Sequence, residues 1–405
     1  MTDAALSMLT GLVERFDPTA FDAPTGRARI RLVVVDDGEA DVVVAGDTVE
    51  IGAPDAARTP DAILAAPREV WTELLRDVRS GLEAHENGRL TIRHNLHIGV
   101  GFLAATSGAT GSERLRFERV TTPAGAWALM TAGRGEAVLL LHGLGATKGS
   151  FLPTVAALAD SGRYRAIAID LPGFGDTYKP LGEAYHPPFF AKAVVQLMDT
   201  LGLGRAHVIG NSMGGRIALE LGLRHPDRVG KLVLIAPSLA WRRARPWAPI
   251  VRAFNPHLGL VQVAPRWAIE AIVHRTIPGA REGWVRAGVD EFMRAYLTPR
   301  GRVAFYAAAR QIYLEEPHGA KGFWTRLAGL QPPALFIWGK HDTLVPIAFA
   351  SHVQRTLASA RHLQLDCGHV PQIERPRETS AAILGFLDDA AVADDTPLPA
   401  HEAAV

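Results

Sequence analysis

Three side chains that together could carry out nucleophilic catalysis each follow a predicted strand. They are Ser212, Asp342 and His369. Ser212 lies between the apolar run at residues 206–209 and a helical pattern, in the stretch GNSMGG. The backbone at such an apex is strained, so the flanking positions must be small, as Gly210 and Gly214 are. The serine hydroxyl would lie beside the amino end of a helix, where developing negative charge is favoured. The pattern predicts that Ser212 is a nucleophile.

Acyl transfer by a serine needs a base to take its proton and a group that orients the base. Asp342 follows the predicted strand at residues 334–338, and His369 follows the next one at residues 362–365. We therefore predict Ser212 as nucleophile, His369 as base and Asp342 as its orienting acid. No metal and no organic cofactor is needed for this chemistry.

Nearby polar residues compete for these roles. Neighbouring residues on a strand point to opposite faces, so we expect His341 and Asp366 to be surface or structural residues. We expect His142 to be a structural hydrogen-bonding residue and Cys367 to be a small buried strand residue.

The serine, acid and histidine occur in the order found in α/β-hydrolases, and other segments resemble that family as well. These are HGLG at residues 142–145, after a buried run, and DLPGFGD at residues 170–176. The resemblance implies a mostly parallel eight-stranded sheet with helices on both faces and a helical lid. It also implies that the backbone N–H groups of Leu144 and Met213 form the oxyanion hole, and that the loop from Asp170 is structural.

The composition excludes several other classes of protein. The 405 residues carry 43 basic and 42 acidic side chains, so capture of nucleic acid is not expected. The densest basic spot, residues 241–245, is interpreted as a solvated face, with contact to anionic lipid or substrate as the alternative. One cysteine, no secretion signal and no apolar run of about 20 residues predict a cytoplasmic protein without a transmembrane segment.

The pattern divides the chain into a small α+β domain at residues 1–110 and an α/β-hydrolase domain at residues 113–388. In the first domain, strands are predicted near residues 28–35, 41–44, 48–51 and 89–93, with helices from Thr59 and at residues 69–82. Residues 106–112 are a predicted linker. A lid is predicted at about residues 239–328, and residues 389–405 are predicted to be a disordered tail.

The order of elements in residues 1–110, with DVVVAGDTVEIG and NGRLTIRHN, is similar to sterol-carrier-protein-2-like domains. That resemblance implies an apolar tunnel that could hold a lipid or acyl chain. The alternative is an accessory domain used for packing or dimerisation.

Three functions follow from these features. The stretches HGLGATKGSF and GNSMGG resemble the esterase and monoacylglycerol-lipase-like branch of the fold, which favours hydrolysis of a small lipophilic ester. GNSMGG also resembles the meta-cleavage-product hydrolases, which cut a carbon–carbon bond. The oxyanion loop of this chain, HGLGATKGSF at residues 142–151, departs from the Ser/Gly/Pro-rich pattern of the corresponding loop in those enzymes. A catalytically silent lipid-binding protein is the third alternative.

Overall fold

The computed structural model describes residues 1–76, 84–85, 87–108, 114–241, 245–261, 265–276 and 282–389. The N-terminal part contains a five-stranded sheet built from β1 (Arg27–Val34), β2 (Gly38–Ala45), β3 (Thr48–Gly52), β4 (Ala62–Ala66) and β5 (Thr91–Arg93). The strand order is β3-β2-β1-β4-β5. Three helices accompany it: α1 (Asp3–Val13), α2 (Arg68–Arg76) and α3 (Leu96–Ala105).

The predicted helix after Thr59 is wrong, because Ala62–Ala66 is strand β4. It pairs with β1 in parallel, with Ile30 opposite Ala62. Its residues alternate between buried and half-buried, which is the pattern of a strand with one face towards the apolar core. Alanine has the highest helix propensity, but propensity is a small effect, and the pairing with β1 overrides it.

The second sheet has eight strands, in the order β13-β12-β11-β10-β8-β9-β7-β6. They are β6 (Arg116–Thr122), β7 (Gly125–Gly133), β8 (Glu136–Leu141), β9 (Tyr164–Ile169), β10 (Ala206–Asn211), β11 (Val229–Ile235), β12 (Ala334–Gly339) and β13 (Arg361–Leu365). Strands β13 to β9 run parallel, while β7 is antiparallel to both β9 and β6. The predicted eight-stranded, mostly parallel sheet is confirmed.

Helices cover both faces of this sheet. Those before β11 are α4 (Leu152–Asp160), α5 (Pro187–Thr200) and α6 (Met213–Arg224). Strand β8 shows why two layers form: Leu140 belongs to the apolar core that contains α4, while Leu139 and Leu141 belong to the one that contains α5 and α6. A strand with both faces buried is apolar at every position, as the run at residues 137–141 is.

In the described part of the segment between β11 and β12, the chain forms five α-helices. They are α7 (Ala248–Ala253), α8 (Arg266–Thr276), α9 (Glu282–Tyr296), α10 (Pro299–Leu314) and α11 (Phe323–Leu327). After β12 the chain forms α12 (Ala348–Thr356), α13 (Pro371–Glu374) and α14 (Pro376–Leu387). No helix among the described residues is long and apolar enough to cross a bilayer.

The N-terminal part shares its core with one face of the large sheet. The side chains of Leu9, Ile30 and Phe102 belong to the same apolar cluster as Val138 and Leu140. Ion pairs from Arg114 to Asp17 and from Arg119 to Asp22 reinforce the contact. The N-terminal part is therefore packed firmly against the rest of the chain.

Some predicted segments lie wholly or partly outside the described residues. These include residues 390–405 of the predicted tail, residues 109–112 of the predicted linker and residues 242–244 of the basic spot. Thr106, at the start of the predicted linker, is buried, and its hydroxyl donates to the carbonyl oxygen of Phe102. It closes α3 and is not part of an open linker.

Candidate active site

Ser212 occupies a strained turn between β10 and α6. Its backbone has φ 53° and ψ −116°, a conformation that side-chain-bearing residues adopt rarely. A Cβ on Gly210 would lie 2.3 Å from the carbonyl oxygen of Gly214, and a Cβ on Gly214 would lie 2.0 Å from that of Leu141. Only glycine fits at either position, which is the geometry of a nucleophile elbow.

Asn211 ties the elbow to the loop that carries the histidine. Its side-chain amide donates to the carbonyl oxygen of Ile235 at 3.1 Å and to that of His369 at 3.3 Å. Sequence analysis did not identify this role. The only signal for it was the position of the amide, one residue before the serine.

His369 and Asp342 lie in direct contact. Nδ1 of His369 is 2.6 Å from Oδ2 of Asp342. The other carboxylate oxygen accepts the backbone N–H groups of Leu344 at 2.8 Å and Val345 at 2.9 Å. Both residues are buried. The carboxylate is therefore fixed, and it selects the tautomer in which Nδ1 carries the proton and Nε2 is the basic nitrogen.

The two loops that carry Asp342 and His369 approach very closely. A Cβ on Gly339 would lie 1.8 Å from the carbonyl oxygen of Gly368. Gly339 therefore permits the contact between the acid and the base. Sequence analysis did not single it out.

Ser212 and His369 line the same cavity, which has a volume of about 570 Å³. No hydrogen bond joins the two side chains among the described residues. Such contacts are often long before substrate binds. Asp342 lies behind His369, held by its hydrogen bond to the ring. The structure thus brings the predicted nucleophile, base and acid to one side of the sheet.

The predicted oxyanion donors are also at this site. Leu144 lines the cavity, and a Cβ on the preceding Gly143 would lie 3.2 Å from Cβ of Ser212. Met213 is the first residue of α6. Neither the N–H of Leu144 nor that of Met213 has an acceptor within the described part of the chain. Two unpaired donors beside a serine could bind a developing oxyanion.

His142 has the structural role that was predicted. It is completely buried, its Nδ1 donates to the carbonyl oxygen of Gly143 at 2.8 Å, and its Nε2 accepts the N–H of Leu171 at 3.0 Å. Burial lowers the pKa of this imidazole, which favours the neutral form. His142 therefore supports the oxyanion loop and leaves the proton transfer to His369.

The other competing residues lie away from the cavity. His341 and Asp366 are exposed and pair with each other at 2.6 Å, as predicted for surface residues. Cys367 is buried, and burial raises the pKa of its thiol to about 12. The prediction that Cys367 is buried is confirmed, but the prediction that it is a strand residue is wrong, because β13 ends at Leu365.

Buried charges anchor the oxyanion loop to the loop from Asp170. Nζ of Lys148 lies 2.7 Å from Oδ2 of Asp170, and the backbone N–H of Lys148 donates to Oδ1 at 2.8 Å. Arg294 of α9 pairs with Asp176 at 2.7 Å. Burial opposes ionisation of both aspartates, but Lys148 and Arg294 hold the pKa of Asp170 and Asp176 below the ordinary value. The predicted structural role of the loop is confirmed.

The segment between β11 and β12 supplies a large part of the apolar wall of the cavity. Of the five tryptophans in this region, Trp241 and Trp284 line the cavity. Trp247 and Trp267 are exposed, and Trp324 stacks on Phe349. The wall is completed by further aromatic residues of α9 and α10, namely Phe292, Tyr296, Phe305 and Tyr306.

With this geometry in hand, comparison with known proteins identifies the family. The chain belongs to the α/β-hydrolase fold family, whose model matches residues 136–376. It is similar to the 2-hydroxy-6-oxo-6-phenylhexa-2,4-dienoate hydrolase of Comamonas testosteroni, with 28% identity over 63% of this chain and 89% of that protein.

A second relative is the 2-hydroxy-6-oxononadienedioate/2-hydroxy-6-oxononatrienedioate hydrolase of Burkholderia vietnamiensis, with 30% identity over 64% of this chain and 88% of that protein. Among solved structures, the enol-lactonase from Burkholderia xenovorans LB400 matches with a TM-score of 0.55 and 23% identity, over 67% of this chain and all of that one. The last likeness concerns the fold alone. The chain is a hydrolase.

These relatives overturn the preference for a lipophilic carboxylic ester and for the monoacylglycerol-lipase-like branch. They act on dienoates that carry a ketone, which was the alternative. The prediction failed because it relied on the side chains of the oxyanion loop. The donors of that loop are backbone N–H groups, which any sequence can present, so HGLGATKGSF does not distinguish ester cleavage from carbon–carbon cleavage.

Proposed function

We propose that this chain hydrolyses the carbon–carbon bond next to the ketone of a 2-hydroxy-6-oxo-dienoate, the substrate type of meta-cleavage-product hydrolases. The observation that carries the proposal is the match to two such hydrolases over nearly nine-tenths of their length. Residues 212, 342 and 369 all lie within residues 136–376, which the α/β-hydrolase family model matches. The substrate is a small molecule, which suits a mainly apolar cavity of this size.

The proposed mechanism begins with the keto form of the substrate, in which C5 is a methylene group beside the C6 ketone. His369 takes the proton of Ser212 as the serine oxygen attacks C6, and Asp342 stabilises the imidazolium. The N–H groups of Leu144 and Met213 bind the oxyanion.

The C5–C6 bond then breaks. Its electron pair goes to C5, where it is delocalised towards the C2 carbonyl, and His369 returns the proton to this fragment. Water, deprotonated by His369, attacks the acyl group on Ser212. A carboxylic acid is released and the serine hydroxyl is restored.

The inserted helices would act as the lid in this mechanism. Trp241, Trp284 and Phe292 line the cavity and would exclude water until the first fragment leaves. Exclusion of water matters here because a carbon leaving group has to be protonated before the acyl group is hydrolysed.

The test uses 2-hydroxy-6-oxo-6-phenylhexa-2,4-dienoate and a short p-nitrophenyl ester as alternative substrates. We expect loss of the dienoate absorbance, release of benzoate in equal amounts, and a higher kcat/KM for the dienoate. Ser212→Ala is the control, and it should release no benzoate. A kcat/KM that favours the ester, or a dienoate left intact by the wild-type enzyme, would reject the proposal.

Two further proposals concern residues 1–110 and the location of the protein in the cell. We propose, from the resemblance of their sequence pattern to sterol-carrier-protein-2-like domains, that residues 1–110 hold a lipid. Mass spectrometry of co-purifying molecules tests this. A cytoplasmic location, predicted from the single cysteine, is tested by cell fractionation.

A further inference from the structure

The N-terminal part reaches the substrate cavity. Leu96, the first residue of α3, is one of the residues that line it. Its side chain touches the oxyanion loop, since a Cβ on Gly149 would lie 2.9 Å from Cδ2 of Leu96. Leu96 lies outside the region that matches the hydrolase family, which begins at residue 136. The cavity therefore has a wall that the family region does not supply.

The N-terminal part also contacts helix α9 through hydrogen bonds and an aromatic contact. Nε of Arg93 donates to Oδ2 of Asp290 at 2.7 Å, and the backbone N–H of His94 donates to the same oxygen at 3.0 Å. The ring of His85 meets the ring of Trp284 edge-on, with centroids 5.0 Å apart. Asp290 and Trp284 both belong to α9.

Glu291 joins three parts of the site. Its Oε1 accepts the backbone N–H of Leu96 at 2.7 Å, and its Oε2 accepts from the hydroxyl of Thr147 and from Arg294. The carboxylate is buried, so these bonds compensate for its removal from water. The first turn of α3, the oxyanion loop and helix α9 are therefore fixed relative to one another.

The position of α9 decides the shape of the cavity. Trp284, Phe292 and Tyr296 all belong to this helix and all line the cavity. A shift of α9 would move three aromatic side chains at once. The contacts from Arg93, His94 and Leu96 oppose such a shift.

We propose that the segment 93–96 is a component of the substrate site. In this assignment Leu96 determines which substrates fit, because it limits the room beside the oxyanion loop. Arg93 is a positioning residue that acts through Asp290 on α9. The proposal rests on Ser212 as the nucleophile, but it does not depend on the dienoate substrate.

The test for Leu96 measures the rate at which two fluorophosphonates label Ser212 in the full-length protein. One probe has a methyl group on phosphorus and the other a biphenyl group. We expect Leu96→Trp to slow the bulky probe about tenfold relative to the small one, and Leu96→Ala to shift the ratio the other way.

The matched control is Leu103→Ala, a buried leucine on the same helix that does not line the cavity. It should lower the melting temperature without changing the ratio of the two rates. If Leu96→Trp and Leu96→Ala leave the ratio at the wild-type value, or if Leu103→Ala changes it equally, Leu96 does not determine specificity. If the wild-type protein is not labelled at Ser212, the nucleophile assignment itself is wrong.

The test for Arg93 separates binding from reaction of the bulky probe. We expect Arg93→Gln to raise the concentration that gives half-maximal labelling several-fold, with the maximal rate constant retained. Asp290→Asn should act similarly, and the double variant should add little to either change. Arg93→Lys keeps the charge and should restore part of the affinity. Unchanged half-saturation in Arg93→Gln, or fully additive effects, would overturn the positioning role.

Discussion

Asp342 holds His369 through a hydrogen bond of 2.6 Å between Oδ2 and Nδ1, although 27 positions separate the two residues. The other oxygen of Asp342 receives the N–H groups of Leu344 and Val345. With both oxygens engaged, the carboxylate cannot turn away from the imidazole. Nε2 of His369 is thereby left as the nitrogen that can take a proton.

The first prediction concerns this pair. In Asp342→Asn the amide oxygen can keep the two backbone hydrogen bonds, but its NH₂ group then faces Nδ1. That arrangement favours the wrong tautomer of His369, so we expect turnover to fall about 10⁴-fold. Stopped-flow assays of dienoate loss measure it.

Asp366→Asn is the control for this change. Asp366 is exposed and pairs with His341 at the surface. Its loss should leave turnover within about twofold of the wild-type value, since surface ion pairs contribute little. Equal losses in both variants would mean that Asp342 is not the orienting acid.

The second prediction compares Ser212 with Ser238, another serine that lines the cavity. Ser212→Ala should lower turnover by roughly 10⁴-fold or more, because the nucleophile is removed while the elbow is kept. Ser238→Ala should retain most of the activity. Both variants should melt near the wild-type temperature, which calorimetry can measure. Substantial turnover in Ser212→Ala would place the nucleophile elsewhere.

The third prediction concerns Gly145, which has φ +75° in the oxyanion loop. A Cβ there would lie 2.5 Å from Cε2 of Phe292. Gly162 has a similar φ of +69° with nothing within 4 Å of the added atom. Each alanine variant should lose about 1 kcal/mol of stability from the backbone conformation.

Gly145→Ala should in addition push Phe292 into the cavity. We expect its kcat/KM to fall about tenfold below that of Gly162→Ala, since small displacements of a positioned site are costly. Steady-state kinetics and urea unfolding of the two variants provide the comparison. Equal kcat/KM values for Gly145→Ala and Gly162→Ala would show that contact between the added Cβ and Phe292 does not affect catalysis.

The fourth prediction concerns the buried pair of Lys148 and Asp170. The folded-state pKa of Asp170 and of Asp176 is lowered, so the unfolded chain binds more protons than the folded one as the pH falls below about 4. The stabilisation from these carboxylates is present above that pH and is lost below it. Urea unfolding between pH 3 and pH 7 measures this loss.

Lys148→Met removes the cation and leaves a buried carboxylate with less compensation. We expect about 3–5 kcal/mol of destabilisation near pH 7 and a smaller loss of stability on acidification than in the wild type, because the folded-state pKa of Asp170 is no longer held low by the cation. Arg89→Met breaks the exposed pair with Glu73 and should cost less than about 1 kcal/mol. Similar losses of stability in Lys148→Met and Arg89→Met would show that a buried ion pair is no more important for stability than an exposed one.

Local patterns in the sequence were enough to predict the large sheet. The apolar runs at residues 137–141 and 206–209 lie in β8 and β10, because a strand buried on both faces needs apolar residues throughout. Gly210 and Gly214 marked the elbow, because a turn without room for a Cβ tolerates only glycine. Strand β4 was missed, because five apolar residues do not distinguish a strand from a helix until a partner strand is known.

Other residues of the site gave no local signal. Asn211, Gly339 and Leu96 act on residues far away in the chain: the carbonyl oxygen of His369, the loop at Gly368 and the wall beside Gly149. The type of each residue would suit many other positions. Their roles became visible only when distant segments were seen together.

The sequence by itself determined the order of nucleophile, acid and base and the sheet that carries them, because strand burial and tight turns leave patterns in neighbouring residues. The tertiary structure decided what surrounds the serine. In the folded chain, three aromatic side chains of α9 and one leucine from the N-terminal part line the cavity. Hydrogen bonds of Arg93 and Glu291 hold α9 in place. Contacts between segments almost 200 residues apart depend on how whole layers pack, and no local pattern encodes them.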